Sequence, residues 1–241
     1  MNKVIDLLKN HKSIRMFDLN APISEEELKE ILQAGQQAST WMNGQFYSVI
    51  RVKNKEIRQG LYNIAPPHMT FIMDCSELLV FVGDFSRQAL ASEIHGKENH
   101  AIGVNHLLTA TTDAALAAQN MVIAAESLGL GCVYIGMVRR DGKKAATLLH
   151  LPEKTFPIFM VAMGKPDQER FTKPRIQTEV VVHMDTYKPV TEDELHHYDK
   201  VEHEFAGARK DVLWSENFAE YFATPPSEKF EAYLKTAKLL S

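Results

Sequence analysis

Two short basic clusters are the parts of this chain best equipped for chemistry. His11-Lys12-Ser13-Ile14-Arg15 offers an imidazole, an ammonium, a hydroxyl and a guanidinium within five residues. Lys173-Pro174-Arg175 adds a second ammonium and guanidinium, with Pro174 restricting the backbone between them. Several such donors converging on a phosphate monoester would make strong charge-assisted bonds. The residues alone leave two readings open for each cluster: a phosphate site or a solvated surface patch.

Other chemistries lack their first requirement. The sequence has no G-x-G-x-x-G after a strand, no G-x-x-x-x-G-K-[ST], no H-E-x-x-H and no G-x-S-x-G. Of its ten histidines, the groupings His95 with His100, and His196 with His197 and His203, lie in polar, loop-like surroundings without an accompanying cysteine. They read as surface residues rather than metal ligands. Cys75 and Cys132 sit in separate apolar contexts without CxxC spacing, and nothing beside either would activate it as a nucleophile.

Composition narrows the class further. The 241 residues are 45% hydrophobic and 24% charged, which is globular rather than disordered. A net charge of −4 implies no broad basic surface, so no nucleic-acid partner is expected. The longest apolar stretch, Ala114 to Leu128, is interrupted by Gln119, Asn120 and Glu126, so no membrane partner is expected either. With no cleavable N-terminal signal, the expected compartment is the cytoplasm with reduced thiols.

The elements that must position these residues follow from periodicity. Val4, Ile5, Leu7 and Leu8 predict a short amphipathic helix just before His11. Ser24-Glu25-Glu26-Glu27 is a capping box, and Leu28, Ile31, Leu32 and Gly35 share one face of a helix from about 24 to 38. Residues Ser39 to Gln45 read as a loop, Phe46 to Val52 and Leu78 to Gly83 as strands, and Pro66-Pro67-His68 as a break between them. Residues 86–104 have no clean period and read as a surface excursion.

The Ala-rich run Asn105 to Leu128 predicts the longest helix, ended by Gly129-Leu130-Gly131. Cys132 to Gly136 and Phe156 to Gly164 read as strands with a short helix, Lys143 to Leu149, between them. Val180 to Val182 reads as a brief strand, and from Thr191 onward the pattern is helical with breaks at Gly207 and Pro225-Pro226. Alternating strands and helices with extra helices at both ends predict an α+β or α/β sandwich on one sheet, without an internal domain boundary.

Read together, these segments resemble the nitroreductase/flavin reductase family. His11-Lys12-Ser13-Ile14-Arg15-Met16-Phe17 is similar to its H-R-S-I-R-x-F opening, and Pro22-Ile23-Ser24-Glu25 to its first helix start. Asp113 to Asn120, running on through Ala124 to Gly131, resembles its central helix. Val133-Tyr134-Ile135-Gly136, Lys173-Pro174-Arg175 and Trp214-Ser215 follow in the family's order. The resemblance covers nearly the whole chain and is closest to the NADPH-preferring, oxygen-insensitive branch.

The resemblance implies an α+β nitroreductase-like sandwich with a central, mainly antiparallel sheet flanked by helices. It implies a flavin-binding core over about residues 1–185, and a helical C-terminal extension over about 186–241 that embraces a partner in a homodimer. It also implies FMN as cofactor, NADPH or NADH as co-substrate and a small-molecule electron acceptor such as a nitroaromatic, a quinone or free flavin. One site would receive nicotinamide and acceptor in turn, which is ping-pong kinetics.

By the same resemblance His11, Ser13 and Arg15 contact the flavin phosphate and ribityl chain, and Lys173 and Arg175 close on the phosphate. Ser39, Thr40 and Trp41 match a loop that reaches the flavin from across the dimer. Tyr134, Ile135 and Gly136 match the segment beside the isoalloxazine. No residue is assigned as catalytic acid, and no metal is implied.

Three departures stand out. Trp41 and Met42 are bulkier than the family's Ser-rich loop, which suggests a narrower or more aromatic pocket. Pro66-Pro67-His68 stands where the family places a Gln near the flavin edge. Of the C-terminal arginines with which the branch binds the NADPH 2′-phosphate, only Arg209-Lys210 lies near that place. Two other functions remain open at this point: an FMN-binding sensor or scaffold without turnover, and a globular domain with fortuitous basic patches.

Overall fold

Among the described residues, four strands form one sheet in the order β1-β2-β4-β3, every neighbouring pair antiparallel. They are β1 (Tyr47–Arg51), β2 (Glu77–Asp84), β3 (Gly131–Ile135) and β4 (Thr155–Gly164). The computed structural model describes residues 2–207 and 212–241. The helices are α1 (Lys3–Lys9), α2 (Glu25–Gln36), α3 (Lys55–Tyr62), α4 (Phe71–Asp74), α5 (Ser86–Ile94), α6 (Val104–Ser127), α7 (Gly142–Leu148), α8 (Thr178–Val181), α9 (Glu192–Ala206), α10 (Trp214–Ala223) and α11 (Lys229–Thr236). The expected sandwich around a mainly antiparallel sheet is what the chain builds.

The central strands are buried on both faces, so they read in sequence as continuous apolar runs rather than as alternation. Leu79 and Phe81 of β2, with Val161 and Met163 of β4, face a core completed by Leu28 and Ile31 of α2 and by Ala114, Ala118 and Met121 of α6. Their neighbours Leu78, Val80 and Val82, with Met160 and Ala162, face the opposite core with Leu61, Phe71 and Ile72. This is the period-two geometry of strands between two helical layers. Each fully buried Leu or Ile contributes about 1.5–3 kcal/mol relative to exposure. A register shift between Phe81 and Val82 faces the β4 segment that holds Pro157, which cannot donate to the ladder.

The capping box starts α2 as its sequence predicts: Ser24 Oγ accepts from Glu27 N at 3.2 Å, and Glu27 Oε2 accepts from Ser24 N at 2.9 Å. Helix α6 likewise spans almost the expected residues, with its small side chains packed against α2 and the sheet.

Elsewhere the structure corrects the sequence reading. Val180–Val182 is not a strand: one helical turn, α8, closes through Val182 N to Thr178 O at 2.7 Å. The β-branched residues favour a strand, but among the described residues this segment has no partner strand, and a local turn satisfies the backbone instead. Residues 86–94 form α5, which buries none of its residues. A helix without a buried face leaves no apolar stripe to read.

The chain divides into two compact units. The first takes the residues up to Arg170 together with Ser227–Ser241, and the second runs Phe171–Pro226. In the second unit Asp199 accepts from Ser215 N at 2.8 Å and from its hydroxyl, fixing the start of α10 beside α9. The Tyr198 and Trp214 rings meet edge to face at 5.4 Å. Among the described residues no helix is long and apolar enough to cross a membrane.

Candidate functional site

The segment from His11 to Phe17 is fixed to the sheet by its two apolar residues. Its backbone runs along the edge of β3: Ser13 bridges Cys132 in parallel, and Ile14 N donates to Cys132 O at 2.9 Å. Further on Phe17 bridges Pro166, and Asp18 N donates to Lys165 O at 2.9 Å. Ile14 and Phe17 are buried, at 3% and 6% exposure.

Each apolar anchor enters a socket that only glycine leaves open. A Cβ on Gly131 would lie 2.6 Å from Ile14 Cβ, and one on Gly164 would lie 2.8 Å from the Phe17 ring. With Ile14 pointing into the core, the alternation of an extended chain turns Ser13 and Arg15 the other way.

Arg15 is therefore a guanidinium held at the surface of a rigid element. Among the described residues no carboxylate pairs with it and no hydrogen bond engages its side chain. Partial burial and then the nearby Arg170 guanidinium hold its pKa below the usual arginine value, although it stays charged. Two neighbouring guanidiniums, one lacking an acidic partner, form a place where an anion would relieve repulsion. His11, at the start of the same segment, places Nδ1 2.6 Å from Glu126 Oε1 near the end of α6.

Tyr134, Ile135 and Gly136 continue β3 just beyond the residue that Ser13 bridges, so the two expected segments share one edge of the sheet. Ile135 is buried, while Tyr134 faces outward, its ring edge-on to Phe159 at 5.4 Å and its hydroxyl 3.3 Å from Gln119 Oε1. Burial pushes the Tyr134 phenol pKa up, so it stays protonated at neutral pH. Gly136 opens a tight turn, Gly136–Asp141, and presents backbone only.

Ser39, Thr40 and Trp41 lie in a loop with left-handed backbone at Met42 (φ 51°), Asn43 (φ 55°) and Gln45 (φ 52°). The carboxylate of Asp113 holds both ends of this strained turn, accepting from Trp41 N at 3.0 Å and from Phe46 N at 3.1 Å. Asp113 is 2% exposed. Thr40 Oγ1 accepts from Gln45 N at 3.3 Å, and the Trp41 ring lies 5.7 Å from that of Phe46. Trp41 and Met42 remain exposed, so the loop offers apolar surface outward.

Within one chain this loop and the His11 segment stand apart. Asp113 and Glu126, their respective anchors on α6, are 13 residues apart in sequence (126 − 113). At 1.5 Å per residue that is about 20 Å along the helix.

Lys173 and Arg175 belong to the second unit, where Lys173 Nζ lies 3.8 Å from Glu202 Oε1 and Arg175 Nη1 donates to Lys173 O at 3.5 Å. The Pro174 carbonyl accepts from Tyr198 Oη at 3.2 Å. Pro66-Pro67-His68 forms the turn between α3 and α4, with His68 exposed. Arg209 and Lys210 lie outside the described residues. Both cysteines are buried free thiols; burial pushes Cys75 up to about 12 and raises Cys132 as well, so neither offers a thiolate.

Sequence reasoning missed the residues that position the site: Glu126, Asp113, and the sockets Gly131 and Gly164. One signal was present. Acids inside an Ala-rich helix need a partner, and both α6 carboxylates turn out to hold a site segment.

Comparison with known proteins identifies the family of the chain. The model of the nitroreductase family matches residues 8–165, and that of the nitroreductase family, C-terminal domain, matches residues 173–240. An NADPH-dependent oxidoreductase of Staphylococcus epidermidis is 35% identical over 228 residues, covering 92% of this chain and 90% of its own. The crystal structure of nitroreductase A from Vibrio parahaemolyticus superposes with a TM-score of 0.93 at 33% identity, covering 100% of this chain and 98% of its own. NADPH:FMN oxidoreductase from Vibrio harveyi, solved in complex with NAD+, gives 0.92 at 32% identity over 99% of both chains.

Proposed function

Because this chain belongs to the nitroreductase family, we propose that it is an NAD(P)H-dependent oxidoreductase that works through bound FMN and passes electrons to nitroaromatics, quinones or free flavin. The observation that carries the reading is Arg15: a guanidinium fixed on the edge of β3, beside Arg170, without a carboxylate partner among the described residues. That donor set fits a phosphate monoester and has no evident structural use.

In this reading Arg15, Ser13 and His11 hold the phosphate and ribityl chain. The Tyr134–Gly136 backbone lies along the ring system. FMN, when bound, supplies the hydride and electron-transfer chemistry; the protein contributes position and electrostatics.

Ser39, Thr40 and Trp41 complete the site from the second copy of a homodimer. The separation of about 20 Å along α6 supports this, since one chain does not bring the loop to its own His11 segment. Exposed Val4, Ile5 and Leu8 of α1, and Val104, Leu108 and Leu116 of α6, supply apolar surface for such a dimer.

One face open to nicotinamide and then to acceptor makes the kinetics ping-pong. Anaerobic NADPH or NADH is expected to bleach the yellow holoprotein, and a nitroaromatic or quinone to restore its colour, with parallel double-reciprocal plots in steady state. A yellow protein that neither nucleotide bleaches would overturn turnover and leave an FMN-binding protein without it.

A further inference from the structure

Glu126 is an acid in the wrong place for a bystander. It occupies the last turn of α6, where the helix dipole is negative, and its side chain is only 12% exposed. Both circumstances disfavour a carboxylate unless a cation stands against it. The group that does so is the His11 imidazole, with Nδ1 2.6 Å from Glu126 Oε1, across 115 residues of sequence.

A carboxylate can only accept, so Nδ1 must carry the proton, and any ligand meets the ring through Nε2. A phosphate oxygen is also an acceptor, so Nε2 must be protonated as well to bond it. Both requirements together are met by the imidazolium, whose charge the Glu126 carboxylate 2.6 Å away complements.

We propose that Glu126 is the positioning residue for His11: its carboxylate fixes the ring's orientation and holds it as a cation, so that the flavin phosphate meets a charged donor rather than a neutral ring. The inference rests on the flavin reading of residues 11–15 and assigns to that site a residue outside it. Glu126 touches no flavin atom in this account and acts through His11 alone.

A double-mutant cycle on FMN affinity tests this, with Glu126→Ala, His11→Ala and the double variant titrated with FMN as refolded or stripped apoproteins of the full chain. Glu126→Ala is expected to weaken FMN about tenfold, the factor a lost charge-assisted bond carries. In the His11→Ala background the same change should cost almost nothing. Glu126→Gln keeps an acceptor of the same shape without the charge, so it should recover part of the loss, and it covers the case of a poorly folded Ala variant.

The ¹⁵N spectrum of the His11 ring should show two protonated nitrogens in the FMN complex of the wild type and lose that signature in Glu126→Gln. Equal losses in both backgrounds, or no loss in either while His11→Ala still weakens FMN, would overturn the role of Glu126 and leave the flavin reading standing. FMN affinity unchanged in His11→Ala would remove His11 from the site and overturn the role of Glu126 with it.

Discussion

Arg15→Ala is expected to weaken FMN binding by about ten- to a hundredfold, the range that follows from losing charge-assisted hydrogen bonds of roughly 1.5–3 kcal/mol. The backbone argument makes the loss specific. Ile14 and Phe17 anchor the segment in the Gly131 and Gly164 sockets, and the ladder to Cys132 is made by main-chain atoms, so removing the Arg15 side chain disturbs neither. Among the described residues Arg15 forms no ion pair, so its removal orphans no acid within the protein. Thermal stability of the apoprotein should therefore stay near that of the wild type, while FMN titration shows the loss. Unchanged FMN affinity would remove Arg15 from the site.

The second large effect is on folding and comes from Asp113→Ala. The carboxylate is buried and satisfies two backbone N–H groups at the ends of a turn whose Met42, Asn43 and Gln45 already sit in left-handed backbone. Removing it leaves those donors unpaired and nothing to hold the strained turn closed. A cost of about 2–4 kcal/mol is expected, which for a chain of this size lowers the melting temperature by about 5–15 °C. Asp113→Asn, which retains one acceptor oxygen, should lie between the two. A melting temperature unchanged in Asp113→Ala would show that the turn is held by other means.

Much of this architecture is legible in the sequence because it depends on local spacing. The α2 capping box needs only Ser24 and Glu27, three residues apart, and its buried face only Leu28 and Ile31. The apolar runs of β2 and β4 announce strands covered on both sides. The basic cluster at His11–Arg15 is visible for the same reason: its chemistry lies within five residues.

What sequence spacing does not reveal is contact at a distance. Asp113 serves N–H groups 72 and 67 residues away, and Glu126 serves a histidine 115 residues away. Gly131 and Gly164 matter only because Ile14 and Phe17 arrive from the other end of the chain. Helix α5 has no buried stripe, and α8 carries β-branched residues where, among the described residues, no strand pairs with them. In each instance tertiary context decides, and local propensity is the weaker influence.

The central claim is that residues 11–15 grip a phosphate, and comparing FMN with riboflavin measures that grip directly. The two ligands share the ring system and the ribityl chain and differ only in the phosphate. Titration of the wild-type apoprotein at fixed ionic strength should give FMN an affinity at least about a hundredfold higher than riboflavin, as several charge-assisted bonds require. Riboflavin binding as tightly as FMN would contradict the account.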